Sequence, residues 1–256
     1  MKNLFNFATR LIENASKIVK NNSNRLNKYS YKIGDFNLVT KIDKKVEKYI
    51  LEQIINQFPN HTIIAEESGV RKRNESYQWF IDPIDGTTNF AHNYPCFCTS
   101  IAFAKNGIIE FGLIKNPLTG ELYTAIRNQG AKLNGKTIRV SKVKKLKDSL
   151  LSTGFPYDKR SSRKNNLKNF SRLTLITHGV RRDGSAALDL CYVASGKIDG
   201  FWELKLSPWD VAAGILIVKE AGGKITGFKG EKYSIYDKEI VSTNGLVHKE
   251  LLGYLE

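Results

Sequence analysis

Apolar side chains recur every three or four positions over the first twenty residues of the chain. They are Leu4, Phe7, Ala8, Leu11, Ile12, Ala15, Ile18 and Val19. This spacing predicts an amphipathic helix of the mature protein rather than a signal peptide, because charged residues are spread through the stretch. The same spacing recurs over residues 43–58, and Pro59 and Asn60 end the pattern. The polar residues 21–28 between these helices are expected to form a loop.

Short apolar runs alternate with turn signals through the middle of the chain. Residues 62–65 and 77–81 are two such runs, and each directly precedes acidic residues. Asn-Gly pairs at 106–107 and 134–135 are typical of hairpin turns, and the run at 108–114 between them is apolar. These signals predict an antiparallel sheet in the middle third of the chain.

From about residue 145 onward, short strands alternate with helical runs. The predicted strands are 150–153, 200–204 and 240–242, and the predicted helices are 186–195, 211–221 and 247–255. The change of pattern predicts an α+β subdomain over residues 1–145, with the antiparallel sheet, and an α/β subdomain over 146–256. The whole chain is expected to be a layered mixture of helices and sheets.

The composition narrows the class of protein. The chain has 256 residues, of which 41% are hydrophobic, which suits one large domain or two subdomains that share a core. No uncharged apolar stretch reaches about 18 residues, so no membrane span is expected. Its three cysteines, Cys96, Cys98 and Cys191, are few and odd in number, which favours a reducing compartment and a cytoplasmic location. The four histidines form no zinc-binding pattern.

The net charge of +15 is concentrated in part of the chain. Residues 141–172, here called the basic segment, contain ten Lys or Arg and two Asp, a net charge of +8. Such a segment is most often a solvated loop and helix face. It is also compatible with a surface that attracts an anionic substrate or RNA, although no aromatic RNA-binding motif accompanies it.

The most informative segment is residues 79–90, Trp-Phe-Ile-Asp-Pro-Ile-Asp-Gly-Thr-Thr-Asn-Phe. Asp82 follows a predicted strand and Asp85 comes three residues later, so both carboxylates can turn toward one point. Gly86 and Thr87 begin a predicted helix, where free main-chain amides can bind an anion. Carboxylates suit Mg²⁺ and amides suit phosphate. The segment therefore predicts a metal-bridged phosphate site, although Asp-Pro and Asp-Gly pairs also occur in plain turns.

Two further acidic positions strengthen this interpretation. Glu66 and Glu67 end the preceding predicted strand, and adjacent carboxylates repel each other unless a cation or a proton intervenes. Asp210 lies in the first turn of an apolar helix, where it could also be an ordinary N-cap. Each position alone has an ordinary structural explanation. Their shared placement at strand ends and helix starts favours one common site.

These motifs resemble the signatures of a known family. Glu66-Glu67-Ser68 and the segments 82–90 and 209–214 are similar to those of the inositol monophosphatase family, and residues 38–43 resemble its early V-T-x-x-D element. Residues 179–203 resemble its bacterial SuhB-type branch, and the resemblance covers nearly the whole chain. It implies a layered αβαβα sandwich of the sugar-phosphatase superfamily, a lithium-sensitive enzyme and a homodimer.

The resemblance also implies a role for each matching residue. The ligands of two or three Mg²⁺ ions would be Glu66, Asp82, the carbonyl of Ile84, Asp85 and Asp210. The catalytic residues would be Asp85, Glu67 and Thr87, of which the last two orient the attacking water. The substrate would contact Gly86, Thr87, Gly184, Ser185, Ala186, Glu203 and Asp210. Asp43 would stand close by, as a support or as a ligand of a third ion.

The implied activity is Mg²⁺-dependent hydrolysis of inositol monophosphate, or a similar small polyol phosphate, by metal-activated water. Another phosphatase of the superfamily is an alternative, acting on a 3′-phosphoadenosine nucleotide, fructose bisphosphate or histidinol phosphate. These substrates would require different groups around residues 184–203. A SuhB-type protein that contacts RNA or the transcription machinery through the basic segment is the third possibility. Residues 157–178 match the family least, and Asp183 stands where relatives usually have a small or neutral residue.

Overall fold

The computed structural model describes residues 1–23, 29–31 and 38–256, so residues 24–28 of the expected loop lie outside the described residues. Within these ranges the α-helices are α1 (Lys2–Lys20), α2 (Lys41–Gln57), α3 (Thr87–Ala91), α4 (Leu167–Ile176), α5 (Ala186–Ala194), α6 (Pro208–Glu220) and α7 (His248–Leu252). The strands are β1 (Tyr29–Tyr31), β2 (Leu38–Thr40), β3 (His61–Ala65), β4 (Gly69–Arg71), β5 (Asn74–Asp85), β6 (Cys98–Lys105), β7 (Ile108–Lys115), β8 (Leu122–Ile126), β9 (Ala131–Leu133), β10 (Lys136–Thr137), β11 (Leu150–Thr153), β12 (Gly179–Arg181), β13 (Gly200–Leu204), β14 (Lys224–Thr226) and β15 (Glu239–Thr243).

The larger sheet contains eight strands in the order β10-β9-β8-β7-β6-β5-β3-β4. Its neighbours are antiparallel except for β3 and β5, which run parallel. The predicted hairpin turn between β6 and β7 is present: Asn106 and Gly107 both have positive φ, at 51° and 75°. This conformation matches the twist of a tight hairpin, and glycine and asparagine adopt it more easily than other residues. The antiparallel prediction for this part of the chain is therefore confirmed, with one parallel pair added.

The smaller sheet has the order β12-β11-β13-β15-β14. Strands β12, β11 and β13 are parallel, whereas β15 is antiparallel to both of its neighbours. The parallel strands deliver the loops that follow them to the same edge of the sheet, as parallel strands do. This edge faces the cavity described below.

Successive side chains along each strand point to opposite faces of its sheet. The apolar core therefore forms three clusters, one between the two sheets and one on the outer face of each sheet. In β5, Trp79 packs toward α1 and α2, whereas its neighbour Phe80 packs toward α5 and α6. In β13, Phe201 faces α5 and α6, whereas Trp202 faces α4 and α7. The order of layers is therefore helices, sheet, helices, sheet, helices. The expected αβαβα sandwich is confirmed.

Helix α6 lies in the middle layer and is buried on nearly every side, from Val211 to Val218. It approaches β7 so closely that a Cβ atom added to Gly112 would lie 2.7 Å from Cα of Ala213. A Cβ atom added to Gly214 would lie 2.5 Å from Leu190 of α5. The two glycines therefore let the backbone of α6 pack directly against its neighbours, and this packing fixes the position of its first turn.

The structure differs from the sequence-based expectations in several places, including the end of α7 at Leu252 instead of residue 255. Strand β5 continues through Asp85 instead of ending at residue 81, and α6 begins at Pro208 instead of residue 211. Helix α4 lies within and just beyond the basic segment and was not predicted. The two sheets fall on either side of residue 145, but the middle helices contact both of them. The division into two subdomains stays a prediction.

Among the described helices, none combines the length and hydrophobicity that a membrane crossing requires.

Candidate active site

A β-bulge brings Asp82 and Asp85 to the same side of β5. Asp82 pairs with Ser100 of β6 and Asp85 pairs with Cys98, so three steps along β5 match two along β6. In a regular strand, residues three apart point to opposite faces, and the extra residue restores a common direction. Pro83 lies in this interval and has no main-chain N–H to offer the ladder. The two carboxylates turn toward one point, as the sequence predicts, but the bulge that turns them was not predicted.

Asp210 reaches the same point from the first turn of α6. It is the third residue of the helix, where its Oδ2 accepts a 2.7 Å hydrogen bond from the main-chain N–H of Ser207. It is therefore part of a capping box and not the N-cap itself. Asp82, Asp85 and Asp210 each offer one carboxylate oxygen, and these atoms all lie within 4.8 Å of one another. The three acids form one cluster.

The cluster has the electrostatics of a cation site. Burial raises the pKa of Asp82 well above its usual value, and the neighbouring charges of Glu66, Asp85 and Asp210 raise it further. Oδ1 of Asp82 is buried and receives no hydrogen bond from any described residue. No described Lys or Arg forms a salt bridge with the three aspartates. A divalent cation would satisfy these oxygens, so the residues present fit a metal.

Asp85 also ties the start of α5 to β5. Its Oδ2 accepts hydrogen bonds from Oγ of Ser185 at 2.5 Å and from the main-chain N–H of Ala187 at 2.8 Å. Asn89 of α3 supports the same loop, because its side-chain amide donates to the carbonyl of Asp183 at 2.7 Å. These bonds bring the predicted substrate residues Gly184, Ser185 and Ala186 beside the acid cluster.

Gly86 allows the turn after β5 to lie close to the loop before α5. Its φ of +90° is in the left-handed region, and an added Cβ atom would lie 2.8 Å from the carbonyl oxygen of Cys96 and 3.2 Å from that of Gly184. Another residue would be strained here, would collide with the carbonyl oxygen of Cys96 and would crowd that of Gly184. The requirement for glycine therefore follows from the contact between the turn after β5 and the loop before α5.

Thr87 and Asp43 form a hydrogen-bonded pair next to the cluster. Oγ1 of Thr87 lies 2.9 Å from Oδ1 of Asp43 and 3.0 Å from the carbonyl oxygen of Ile84. The other carboxylate oxygen of Asp43 accepts hydrogen bonds from the main-chain N–H and the hydroxyl of Thr40 at the start of α2. Burial raises the pKa of Asp43 to about 6, against the opposing effect of these hydrogen bonds.

Glu66 and Glu67 follow β3 and point to different surroundings. Glu66 lines the same cavity as the aspartates, whereas Glu67 borders a shallow depression beside α2. The main-chain N–H of Glu67 donates to Oε2 of the buried Glu47 at 2.8 Å, and Ser68 donates to the same carboxylate. Helix α2 therefore holds the turn that carries both glutamates. Glu67 and Asp43 are the two predicted site residues that do not line the cavity.

The acids open onto a cavity of about 610 Å³. Eleven of the predicted residues line it: Glu66, Asp82, Ile84, Asp85, Gly86, Thr87, Gly184, Ser185, Ala186, Glu203 and Asp210. Glu203 lies against Gly154, where any side chain would overlap its carboxyl group. Burial raises the pKa of Glu203 to about 8, while Arg182 opposes the shift. Burial therefore favours the protonated form of this carboxyl group at neutral pH.

Several cavity residues were not predicted from the sequence. Asp189 of α5 is buried at the cavity wall and accepts a 2.8 Å hydrogen bond from Oγ of Ser152. An acid in an otherwise apolar helix was a usable signal for this residue. Lys159 and Arg182 also line the cavity. Lys159 lies in the segment that matches the family least, so no motif pointed to it.

Comparisons with known proteins identify the family of the chain. The model of the inositol monophosphatase family matches residues 1–256. The chain is 46% identical over 215 residues to an inositol-1-monophosphatase of Synechocystis, covering 84% of this chain and 75% of the relative. It is 40% identical to the Nus factor SuhB of Pseudomonas aeruginosa, with 100% and 97% of the two chains covered. An inositol monophosphatase structure from Anabaena superimposes with a TM-score of 0.90 at 42% identity, covering 99% of this chain and 95% of the other.

The layered fold and the acid cluster define an enzyme, a phosphatase whose site could hold a metal ion. The chain belongs to the inositol monophosphatase family. The family resemblance of the sequence motifs is thereby confirmed.

Proposed function

We propose that this protein hydrolyses inositol monophosphate, or a similar small polyol phosphate, to the alcohol and inorganic phosphate with the help of Mg²⁺. The observation that carries the proposal is the convergence of Asp82, Asp85 and Asp210 beside Gly86 and Thr87. Carboxylates at one point suit a hard cation, and the adjacent main-chain amides suit a phosphate group. The names of the Synechocystis relative and of the Anabaena structure support the choice of substrate.

The proposed ligands of two or three Mg²⁺ ions are Glu66, Asp82, the carbonyl of Ile84, Asp85 and Asp210. Bound Mg²⁺ would neutralise the phosphate charge and make water a stronger acid. The capping-box bond leaves one oxygen of Asp210 available, and the bonds to α5 leave one oxygen of Asp85 available. Each of these carboxylates can therefore bind a cation without giving up its structural contact.

The proposed path of the proton runs through Thr87. Its hydroxyl hydrogen can point to Asp43 or to the carbonyl of Ile84, so its oxygen is left to accept a hydrogen bond from water. The water would attack phosphorus in line and its proton would pass toward Thr87 and Asp43, while the bond from phosphorus to the alcohol oxygen would break and that oxygen would take a proton from solvent water. Glu67 does not line the cavity itself, but its charge acts on Asp43, and we propose that it helps to orient this water from that side.

A phosphate-release assay tests the proposal. Inositol 1-phosphate, fructose 1,6-bisphosphate, adenosine 3′,5′-bisphosphate and histidinol phosphate are compared with Mg²⁺ and with a chelator. We expect release only with Mg²⁺, and highest with inositol 1-phosphate. Asp85→Asn should lower turnover at least about 100-fold, and the exposed Asp148→Asn should leave it unchanged. Near-normal hydrolysis by Asp85→Asn would refute the proposed metal site.

A second candidate function is contact with RNA or the transcription machinery. It is favoured by the relative named Nus factor SuhB and by the exposure of nine of the ten Lys and Arg side chains in the basic segment. Two of these cations, Lys164 and Arg172, pair with Glu239 and Glu256 and are partly neutralised. An electrophoretic shift with RNA that persists at physiological salt would support this function. Loss of the shift with modest added salt would leave non-specific attraction as its explanation.

The family resemblance supports three further proposals: inhibition by lithium, a homodimer and a cytoplasmic location. Titration of the Mg²⁺-dependent activity with LiCl tests the first. Sedimentation of the purified protein tests the second, and fractionation of the cells that produce it tests the third.

A further inference from the structure

The loop between β11 and α4, residues 154–166 and here called the β11 loop, is closed at its base. The side-chain amide of Asn166 donates hydrogen bonds to Oγ1 of Thr153 at 2.8 Å and to the carbonyl oxygen of Gly154 at 2.7 Å. Asn166 is itself buried, so both ends of the loop are fixed to the smaller sheet. Between them, residues 154–159 line the cavity.

A salt bridge holds the middle of the β11 loop at a second point. Nζ of Lys205 donates one hydrogen bond to Oδ2 of Asp158 at 2.5 Å and another to Oγ of Ser162 at 2.9 Å. Asp158 and Lys205 both line the cavity, and their side chains are 50% and 33% exposed. The strands that precede them, β11 and β13, are parallel neighbours. The salt bridge therefore ties the loop after one strand to the segment after the other.

The backbone of Lys205 has a conformation that residues with side chains rarely adopt. Its φ is +62°, in the left-handed region. Its main-chain N–H donates to the carbonyl oxygen of Lys238 at 2.6 Å, which holds this conformation beside β15. Glycine would adopt the same conformation without strain. A lysine here therefore costs backbone stability, and the contacts of its side chain with Asp158 and Ser162 offset that cost.

The segment that binds the loop also carries residues of the proposed site. Glu203 is in β13, two positions before Lys205, and Asp210 is in the first turn of α6, five positions after it. The salt bridge thus connects the β11 loop to the segment that runs from Glu203 to the aspartate cluster. This connection restrains the distance between the loop and the cluster on the side where the alcohol part of the substrate would lie.

We propose that the salt bridge between Asp158 and Lys205 limits the size of the alcohol that the cavity accepts, so that esters of small polyols are preferred over esters of bulky alcohols such as nucleosides. This inference rests on the proposed function and refines its substrate class. The opposite charges of the pair cancel, so the pair holds the β11 loop in place and does not attract a further anion. Without the pair, the middle of the loop moves outward and the cavity admits a larger alcohol.

The volume of the cavity is compatible with such a limit. The cavity measures about 610 Å³, which is within the range of sites that enclose one drug-sized molecule. The phosphate group, the proposed metal ions and the attacking water occupy part of this volume. The alcohol has only the remainder, which the β11 loop borders, so a small displacement of the loop changes which alcohols fit.

Two substrates of equal charge and different size test the inference. Inositol 1-phosphate and 2′-AMP are both monoesters of secondary alcohols and carry one phosphate each, so their reactivity and charge are alike. The measured quantity, here called the size ratio, is kcat/KM for 2′-AMP divided by kcat/KM for inositol 1-phosphate, with Mg²⁺ in excess over total phosphate. A general loss of activity lowers both values and leaves the size ratio unchanged, whereas a wider cavity raises it.

We expect a size ratio below one in the unchanged protein. It should rise about three- to fivefold in Lys205→Gly and in Asp158→Asn, which is the size of effect that a partly exposed ion pair supplies. Lys205→Gly relieves the backbone strain and should therefore fold. Lys205→Arg should keep a low size ratio, because it keeps the charge that pairs with Asp158. In the unchanged protein, added KCl should raise the size ratio toward that of Lys205→Gly, because salt screens the pair.

A double-mutant cycle and a control variant separate the pair from other effects. Lys205→Gly and Asp158→Asn combined should give the size ratio of either single variant, because both remove the same interaction. Additive effects would mean that the two residues act separately and would overturn the inference. Lys164→Gln is the matched control: it removes the same charge from the same loop, but Lys164 pairs with Glu239 at 3.1 Å and does not line the cavity. It should leave the size ratio unchanged.

Three further results would overturn the inference. They are a size ratio of one or more in the unchanged protein, a size ratio that neither Lys205→Gly nor Asp158→Asn changes (including no hydrolysis of 2′-AMP by any variant), and an equal rise in Lys164→Gln. In all three cases inositol 1-phosphate is still hydrolysed and the proposed function stands. Absence of Mg²⁺-dependent hydrolysis of every substrate would refute the proposed function, and the size limit with it.

Discussion

Asp82 shows how one residue can serve chemistry at the expense of stability. It is 1% exposed, one of its oxygens receives no hydrogen bond within the described part of the chain, and three other acids surround it. A buried charge in such surroundings is unfavourable unless a cation or a proton compensates it. Its position is therefore explained by compensation of its charge, either by a proton or by a cation in the cluster.

We predict that Asp82→Asn inactivates the enzyme but does not destabilise the metal-free protein. Hydrolysis should fall at least about 100-fold, because a proposed metal ligand is lost. Without metal, the melting temperature should equal or exceed that of the unchanged protein, because a buried like-charged group is removed. Thermal unfolding with a chelator measures this. A clear fall in melting temperature would show that Asp82 has a structural role that the present contacts do not include.

Gly154 is the second informative residue, because its missing side chain leaves room for Glu203. We predict that Gly154→Ala raises KM and costs about 1–3 kcal/mol of unfolding free energy, since an overfilled site must displace the Glu203 carboxyl group. Gly179→Ala in β12 is the control, because the atom nearest to its new Cβ would be the flexible guanidinium of Arg181.

A double-mutant cycle separates this contact from a general effect on the loop. In a background of Glu203→Ala, the added methyl group of Gly154→Ala has no carboxyl group to displace. The two substitutions should therefore be strongly non-additive in both KM and stability. Additive effects would contradict the steric explanation.

At the scale of elements, α2 carries two buried acids one helical turn apart. Asp43 accepts the hydroxyl hydrogen bond of Thr87, and Glu47 accepts the main-chain N–H of Glu67. Residues four apart lie on one face of a helix. One rigid helix therefore supports both Thr87 and Glu67, the residues that we propose to orient the attacking water.

We predict that Glu47→Ala lowers kcat about 10- to 100-fold with a smaller effect on KM, because the turn that carries Glu67 loses its support. The unpaired N–H of Glu67 should also cost about 1–3 kcal/mol of stability. Glu52→Ala is the control on the same helix. Its carboxylate is exposed and lies 3.9 Å from Lys48, so its loss should cost less than about 1 kcal/mol. Equal kcat values for the two variants would contradict the role of Glu47.

The elements also show what sequence patterns can and cannot predict. Helix α1 and strand β3 follow from apolar spacing alone, because each buries one regular face or run. The bulge after Asp82 depends on pairing with β6, which no local pattern in β5 encodes. The place of Lys159 in the cavity depends on the parallel pairing of β11 and β12, two strands separated by about 25 residues. Such contacts arise only when distant segments meet.

At the scale of the whole molecule, the acid cluster joins two parts of the core. Asp82 and Asp85 belong to the larger sheet, and Asp210 belongs to the helix layer between the two sheets. Mutual repulsion of these carboxylates therefore acts across the contact between a sheet and its covering helix. Metal binding should consequently affect the stability of the whole fold, and not only of the site.

We predict that Mg²⁺ raises the melting temperature more at pH 8 than at pH 5.5. Burial raises the pKa of Asp82, Asp85 and Asp210, so the folded metal-free protein binds more protons than the unfolded chain above about pH 4. Its stability therefore falls as the pH rises through the raised pKa values. Mg²⁺ binds the charged form of the three aspartates and restores the stability that the folded protein loses at high pH. Calorimetry with Mg²⁺ or a chelator at both pH values measures the difference, and an equal increment at both would contradict it.

The contact between Gly112 and Ala213 has a consequence for how variants of this protein are interpreted. Gly112 contacts no residue of the acid cluster through a side chain, yet it allows the distance between β7 and α6. Any larger residue would push the helix outward and carry Asp210 with it. A survey of random substitutions scored by activity would therefore rank Gly112 with the residues that meet the substrate, although it lies in the sheet interior. The effect of a substitution on activity in this enzyme therefore depends on the packing that positions the site as much as on the residues that react.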